Sequence, residues 1–368
     1  MKRKLACAAI ALAFLPAMGQ AQTYNCDVNG DGTVNVADVM LVVDKVLGTS
    51  SDSQRRIKFY VTEEPFETES GGTRKSIRRA PEVTTSTLKQ FYLHWLYEEE
   101  GFLELSDDHH TYITKEGHYQ TEATWPSNLV SPLSTPVSFF AYHDNQESCS
   151  LDVADKPYLL VELEENSSEQ TDVLVAKEAK SWNECEGVIN LKFHHACAAA
   201  QFSIKKSEKM AEKGYNVEVN QVVLHNIIKT GDYMLDDFTW KIPEASPETV
   251  TDFTLNAYSN GEKTDFISLT TDATLLAKDE NDFLFLLPTK IESVNRKYSE
   301  ATVADGAYIE IKCKVYKDND YKVGSLDDFG SVYLPFGYDL SGYKGKIKSF
   351  LINFGTSIRD FDGYLIIQ

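Results

Sequence analysis

Twelve consecutive residues near the start of the chain, from Asp27 to Asp38, place oxygen-bearing side chains at regularly spaced positions. An EF-hand loop binds Ca²⁺ through oxygen ligands at positions 1, 3, 5, 9 and 12, with glycine at position 6. Gly32 occupies that position here and permits the sharp turn, since glycine readily adopts positive φ. The sequence therefore predicts a calcium site whose ligands are Asp27, Asn29, Asp31, Asn35 and Asp38, together with the carbonyl oxygen of Thr33.

A short amphipathic helix is predicted directly after this loop. Its apolar side chains recur at helical spacing and share one face, and Gly48 is a suitable C-terminal cap. A single loop and helix cannot bury such a face, and Val34 would ordinarily pair with a second loop, which the sequence does not contain. The face is therefore predicted to dock onto a partner protein or onto another part of this chain. It consists of Val39, Met40, Val43, Val46 and Leu47.

Residues 26–48 resemble one repeat of a type I dockerin module, in which aspartate, here Asp38, is usual at loop position 12. Dockerin modules normally contain two such repeats. The resemblance implies Ca²⁺ binding and docking of the helix onto a partner protein. Residues 318–320 also carry carboxylates, but residues 321–323 stand where a turn glycine is needed, so this stretch is predicted to be a hairpin connection.

The first 21 residues have the organisation of a secretory signal peptide. A basic start at residues 2–4 precedes an apolar run at residues 5–15 that is too short to span a bilayer. Small residues favour cleavage after Ala21. Lipidation at Cys7 is the alternative, but Cys7 comes too early, near the start of the apolar run and not after it. We expect a secreted protein at the outer membrane or cell surface, without a membrane span.

The strongly negative net charge excludes two classes of partner. The formal net charge is −20, and removing the three basic residues of the signal peptide makes it −23. Such a chain repels nucleic acid and anionic membranes, so neither is expected as a partner.

Five of the six cysteines remain after cleavage, an odd number that cannot pair completely within the chain. Their pairing is left open, but the apolar surroundings of Cys197 and Cys313 predict buried, reduced thiols.

The remainder of the chain is predicted to be β-rich after a linker. From residue 81 onwards, runs of Thr, Val, Tyr and Phe are separated by Gly, Asn, Asp and Pro. The only helix candidate there is a short one at residues 207–213. The predicted strands are 87–95, 137–142, 158–163, 188–204, 217–228, 283–287, 308–316, 332–335, 347–354 and 364–367.

We predict an all-β fold of two packed sandwiches preceded by the calcium unit. The linker contains one short strand candidate at residues 57–61 and ends in a basic stretch that offers a protease site after Arg79. The predicted domains are a signal peptide (1–21), a calcium repeat (22–48), a linker (49–80) and two β-sandwiches (81–186 and 187–368).

Several segments of this β-rich region resemble the fimbrillin family, the type V pilins of Gram-negative anaerobes. The matching segments are Arg79-Ala80 followed by 83–92, Trp125-Pro126 leading to 137–142, 188–204, and Leu334-Pro335-Phe336 with the closing strand 347–354 and Asp362-Gly363.

This resemblance implies two tandem transthyretin-like or Ig-like β-sandwiches in an exported subunit. It also implies that a surface protease can cut the N-terminal segment at an arginine, and Arg79 lies where that cut would fall. Cutting opens a groove, and a strand from the next subunit fills it by β-strand addition. No catalytic residue is implied.

A pair of adjacent histidines, His194 and His195, raises the possibility of a zinc site with Cys197. In a strand the two histidines point to opposite faces, and only His195 and Cys197 share one. Two ligands are too few for a zinc site, so these residues are predicted to have packing roles.

The sequence is compatible with three functions. The leading one is a non-enzymatic cell-surface protein, a fimbrillin-like pilus or accessory subunit with a structural or adhesive role and a host or matrix ligand. The alternative is a calcium-dependent binding module that docks into a surface complex. The third is a dockerin-tagged carbohydrate-active enzyme, against which the lack of a catalytic motif argues.

Overall fold

A computed structural model describes most of the strand-rich part of the chain, within one compact unit that begins at Asp52. The predicted signal peptide, the predicted calcium repeat and Arg79 lie outside the described residues. Those residues are 56–64, 66–68, 88, 90–99, 102–105, 109–113, 119–125, 134–143, 149–259, 261–280, 282–294, 306–355 and 364–367.

The first half of this unit contains strands rich in aromatic and β-branched residues, which fit a pleated, half-buried surface. One short helix, α1 (Trp182–Cys185), follows Ser181, whose N–H donates to the Glu184 carboxylate at 2.7 Å. The strands are β1 (Arg56–Glu63), β2 (Glu67–Thr68), β3 (Gln90–Glu99), β4 (Phe102–Leu105), β5 (His109–Ile113), β6 (Tyr119–Thr124), β7 (Val137–His143), β8 (Ser150–Leu151), β9 (Pro157–Glu162), β10 (Leu174–Lys180), β11 (Val188–His195) and β12 (Ala198–Lys206).

The second half continues the pattern after a short helix, α2 (Glu208–Glu212), capped by the Ser207 hydroxyl, which accepts from the Met210 N–H. The strands are β13 (Asn216–Ile228), β14 (Thr230–Met234), β15 (Thr239–Lys241), β16 (Val250–Asn256), β17 (Tyr258–Ser259), β18 (Glu262–Lys263), β19 (Ile267–Ser268), β20 (Thr274–Leu275), β21 (Leu284–Leu286), β22 (Lys290–Ile291), β23 (Tyr308–Lys317), β24 (Asp320–Val323), β25 (Gly330–Pro335), β26 (Tyr338–Asp339), β27 (Lys346–Phe354) and β28 (Tyr364–Ile367).

The first sheet has the order β4-β3-β5-β6-β1-β11-β10-β7, and β7 also pairs with β3. Seven of its strands therefore form a closed ring of pairings. The side chains that point into this ring form one apolar cluster, which includes Phe91, Trp125, Phe139, Ile189 and Phe193. Because this ring closes, β4 is the only strand of the described sheet that stands at an end of the strand order.

A larger apolar core holds the other sheets together. One sheet has the order β2-β27-β12-β20, with β21 on β12 and β28 on β27. Another has the order β16-β13-β23-β24, with β19 on β13 and β25 on β23. Buried side chains from both meet in this core, where the rings of Phe202 and Phe350 stack with centroids 4.8 Å apart. A smaller sheet, β15-β14-β9-β8, adds Leu159 and Tyr233 to the same core.

The all-β class predicted from the sequence is confirmed, and so are most of the individual strand and helix predictions. The predicted hairpin connection at residues 318–320 joins β23 to β24, with φ of 48° at Asp318 and 65° at Asn319. Consecutive positive φ values suit a type I′ turn. Cys197 and Cys313 are buried, and neither forms a disulfide, as predicted. Within the described residues, no helix has the length and apolar character needed to cross a membrane.

Two features differ from the sequence predictions. The run predicted as one strand at residues 188–204 is two strands, because the chain passes from the first sheet to the second at Ala196-Cys197. Since β11 pairs with β1 and β10, the first sheet also extends past the domain boundary expected between residues 186 and 187.

Candidate functional site

The N-terminal part of the described chain lies inside the fold and does not behave as a linker. β1 pairs in parallel with β11 from Lys58↔Val188 to Glu63↔Phe193, and on its other side it pairs antiparallel with β6. β2 pairs in parallel with β27. We call residues 56–68 the bridging segment, because it belongs first to one sheet and then to another.

The inward side chains of β1 belong to the apolar cluster inside the first sheet. Ile57 and Phe59 are buried, whereas Lys58 and Tyr60 between and beyond them are exposed. The Phe59 ring meets Phe91 edge to face at 5.8 Å, and Phe91 in turn meets Phe193 at 5.4 Å. This alternation is the period-2 pattern of a strand with one buried face. β1 therefore fills a slot between β6 and β11 with both backbone pairing and apolar side chains.

Glu64 holds the bridging segment where it leaves the first sheet. Its N–H donates to the Phe193 carbonyl at 2.9 Å. Its carboxylate pairs with the Lys192 ammonium, and a second oxygen lies 2.6 Å from Nδ1 of His194. The hydrogen bond from Lys192 lowers the pKa of Glu64 most, and that from His194 lowers it further against the opposing effect of burial.

Phe66 holds the segment where it joins the second sheet. Its ring stacks on the imidazole of His195, with centroids 3.6 Å apart and planes at 21°. Phe283 and Phe285 both lie 6.2 Å from the Phe66 ring, which is buried. The next residue, Glu67, donates its N–H to the Gly345 carbonyl at 2.9 Å, which starts the pairing with β27.

The two adjacent histidines thus contact the bridging segment from opposite faces of β11, as strand periodicity predicts. Behind His195, Oδ2 of Asp172 lies 2.6 Å from Nδ1, so the imidazole is fixed beneath Phe66. Beside His194, the Phe238 ring lies 5.3 Å away. No group of three or more His, Cys, Asp or Glu side chains in the described part of the chain is arranged to hold a metal ion.

The remaining residues predicted from the sequence as functional lie outside the described residues, so they stay predictions. They are the cleavage candidates Ala21 and Arg79, the calcium ligands Asp27, Asn29, Asp31, Thr33, Asn35 and Asp38, and the docking face Val39, Met40, Val43, Val46 and Leu47. The sequence predicts a short strand at residues 57–61 within a linker, whereas the structure makes it an inner strand of a sheet. The alternation of Ile57, Phe59 and Val61 was the available signal for an inner strand.

Comparison with known proteins identifies a family. The family model for fimbrillin-like proteins matches residues 104–326. No curated protein matches the chain.

Three solved structures share low sequence identity with this chain. A fimbrial protein from Bacteroides vulgatus is 13% identical, covers 86% of this chain and 98% of its own, and has a TM-score of 0.46. A protein from Parabacteroides distasonis, provisionally named for cell adhesion, is 10% identical over 85% of this chain and 96% of its own, with a TM-score of 0.47. A protein from Bacteroides ovatus, also provisionally named for cell adhesion, is 12% identical over 85% of this chain and 95% of its own, with a TM-score of 0.45. Since the family model spans more than half of the 368 residues, the protein belongs to the fimbrillin-like family.

Proposed function

We propose that this protein is an exported, non-enzymatic subunit of a cell-surface structure, structural or adhesive in role, which assembles by strand exchange. The observation that carries the proposal is the position of β1. An inner strand with neighbours on both sides comes from the segment ahead of Arg79. A cut after Arg79 would leave this strand held only by non-covalent contacts.

Loss of the bridging segment would create an acceptor for another strand. β6 and β11 would each expose an unpaired edge, and the space now filled by Ile57 and Phe59 would open to solvent. Unpaired backbone groups beside an apolar slot favour the addition of a strand from another chain. The partner in this proposal is a second subunit, and the bridging segment keeps the uncut subunit closed.

The proposal is tested by cutting the full mature chain at one place. A site-specific protease sequence inserted after Arg79 is cleaved, and assembly is followed by size-exclusion chromatography and by gel electrophoresis without boiling. We expect multimers from the cut chain and monomers from the uncut chain or from a chain with an uncleavable insert. A cut chain that loses the N-terminal fragment and still remains monomeric would contradict the proposal.

We further propose that residues 22–48 bind one Ca²⁺ through the dockerin-like loop. The support is the set of five oxygen side chains and the turn glycine, all at the positions an EF-hand loop requires. Isothermal titration calorimetry on the mature chain should give an affinity tighter than about millimolar, which the Asp31→Ala variant should lose. Asp327→Ala removes an exposed carboxylate elsewhere and should leave the affinity unchanged. Equal affinities in the two variants would refute the calcium site.

A second candidate function follows from the apolar helix face of the same repeat. With no second repeat in the sequence to cover it, the face from Val39 to Leu47 would dock onto a partner protein when Ca²⁺ is bound. A pull-down with and without chelator separates this function from strand exchange. N-terminal sequencing of the protein from its native cell surface decides which form is present, since Gln22 at the start retains the repeat and Ala80 does not.

A further inference from the structure

Backbone pairing explains why a strand fits beside β11, but it does not explain which strand. Ladder hydrogen bonds are the same for any sequence, so selectivity in strand addition comes from side-chain pockets. The pockets for Ile57 and Phe59 accept apolar residues in general. Contacts that depend on particular side chains lie where the bridging segment crosses from one sheet to the other. This crossing runs from the end of β1 at Glu63 to the start of β2 at Glu67.

The first half of this crossing is a receptor for a carboxylate. Lys192 and His194 both belong to β11, and both contact the Glu64 carboxylate. The imidazole is confined on another side by Phe238, at 5.3 Å. Phe238 has a positive φ of 59°, and its carbonyl accepts from Lys344, so the turn that carries it is itself held in place. These groups remain with the subunit body when the bridging segment leaves.

The second half of the crossing is a shelf for an aromatic ring. His195, fixed by Asp172, forms its floor beneath the Phe66 ring. Ala199, Phe283 and Phe66 make up one small apolar cluster, with Phe285 and Ile347 packed against it. A planar ring fills this shelf by stacking, whereas an aliphatic side chain would lose the ring-to-ring contact.

We propose that Lys192, His194 and His195 form a recognition site for a carboxylate followed two residues later by an aromatic ring, carried by whichever strand fills the groove. The proposal rests on the strand-exchange function above and adds its selectivity. The bridging segment satisfies the site from within the chain through Glu64 and Phe66. The strand of a second subunit that replaces it carries the same acid-x-aromatic pair.

Competition by synthetic peptides tests the site without changing the fold of the protein. The full mature chain, cut after Arg79 with a labelled N-terminal fragment in place, is incubated with peptides of residues 52–70. The measured quantity is the peptide concentration that displaces half of the fragment. Glu64→Gln should raise this concentration about fivefold, since a partly exposed charged hydrogen bond is lost. Phe66→Leu should raise it about tenfold.

The matched control is Glu67→Gln, which removes an equal charge three residues away. The Glu67 carboxylate is largely exposed and lies 3.6 Å from Lys346, so the displacement should change by less than about twofold. A double-mutant cycle then tests His194, the residue of the subunit body that contacts Glu64. On a His194→Gln chain the wild-type and Glu64→Gln peptides should differ by less than they do on the parent chain.

The outcomes separate this proposal from the function on which it rests. If Glu64→Gln and Phe66→Leu peptides displace the fragment as well as the wild-type peptide does, the recognition site is refuted and strand exchange stands. If no peptide displaces the fragment, the wild-type peptide included, both the exchange function and the recognition site are refuted.

Discussion

His225 is held between carboxylates from both neighbouring strands of its sheet. Its Nδ1 lies 2.8 Å from Asp252 on β16, its Nε2 lies 3.0 Å from Glu310 on β23, and its ring stacks on Tyr308 at 4.5 Å. Burial acts to lower the pKa of His225, but the hydrogen bonds and charges of the two carboxylates outweigh it and raise the pKa. In its protonated form, the His225 side chain therefore ties three adjacent strands together.

The raised pKa of His225 predicts a pH-dependent contribution to stability. A histidine whose pKa is higher in the folded chain stabilises fully below its unfolded value of about 6.5, and this stabilisation is lost as the pH rises through the folded value. His225→Gln should lower the free energy of unfolding by about 1–2 kcal/mol near pH 6 and by less at pH 9. Urea unfolding of both chains at the two pH values measures this difference. A difference that does not shrink at pH 9 would contradict the prediction.

The histidines of the crossing show what residue patterns reveal and what they do not. The opposite orientations of His194 and His195 follow from strand periodicity and were predictable. Their partners were not, because Glu64, Phe66 and Asp172 lie far away in the sequence, and only the pairing of β1 and β2 brings them together. Local pattern fixes the direction of a side chain in a strand, whereas its contacts depend on which strands are neighbours.

At the scale of elements, the turn between β24 and β25 depends on a glycine. Gly324 has φ of 72°, and an added Cβ would lie 2.7 Å from the Asp328 carbonyl and 3.0 Å from the Gly330 nitrogen. Both neighbours are backbone atoms, which cannot rotate away as a side chain would. Gly342, in another turn, has no atom within 4 Å of the same position and no positive φ.

This contrast predicts different effects for the same substitution. Gly324→Ala should lower the free energy of unfolding by about 2 kcal/mol or more, since it adds backbone strain to a left-handed conformation. Gly342→Ala should change it by less than about 0.5 kcal/mol. Urea unfolding at one pH gives both values. Equal effects of the two substitutions would mean that the close approach at Gly324 is easily relieved.

Strand boundaries were predictable where the pattern breaks and not where it continues. β13 was predicted at residues 217–228 and spans Asn216–Ile228, because polar residues and glycine bound its alternating run. The apolar run at residues 188–204 continues through Ala196-Cys197, since both are buried while the chain changes sheets. An apolar residue in a sheet and one in a crossing between two sheets are equally buried, so sequence pattern cannot separate them.

At the scale of the whole described unit, β7 links the two cores. Phe139 and Ala141 point into the core of the first sheet, whereas Phe140 and Tyr142 point into the larger core shared by the other sheets. All four side chains are buried, so this strand is covered on both faces. The two packed sandwiches expected from the sequence therefore share the side chains of one strand. We expect this sharing to couple their unfolding.

This shared strand predicts that neighbouring substitutions on opposite faces have the same global effect. Phe139→Ala and Phe140→Ala each remove a fully buried ring and should each cost about 3–5 kcal/mol. If the two cores unfold as one unit, either substitution should accelerate hydrogen exchange in β10 of the first sheet and in β23 of the larger core by similar factors. Exchange measured by mass spectrometry on both chains provides the comparison. Only a cooperative unit transmits the loss of one ring to both cores. If Phe139→Ala accelerates exchange in β10 and leaves β23 unchanged, the two cores unfold independently.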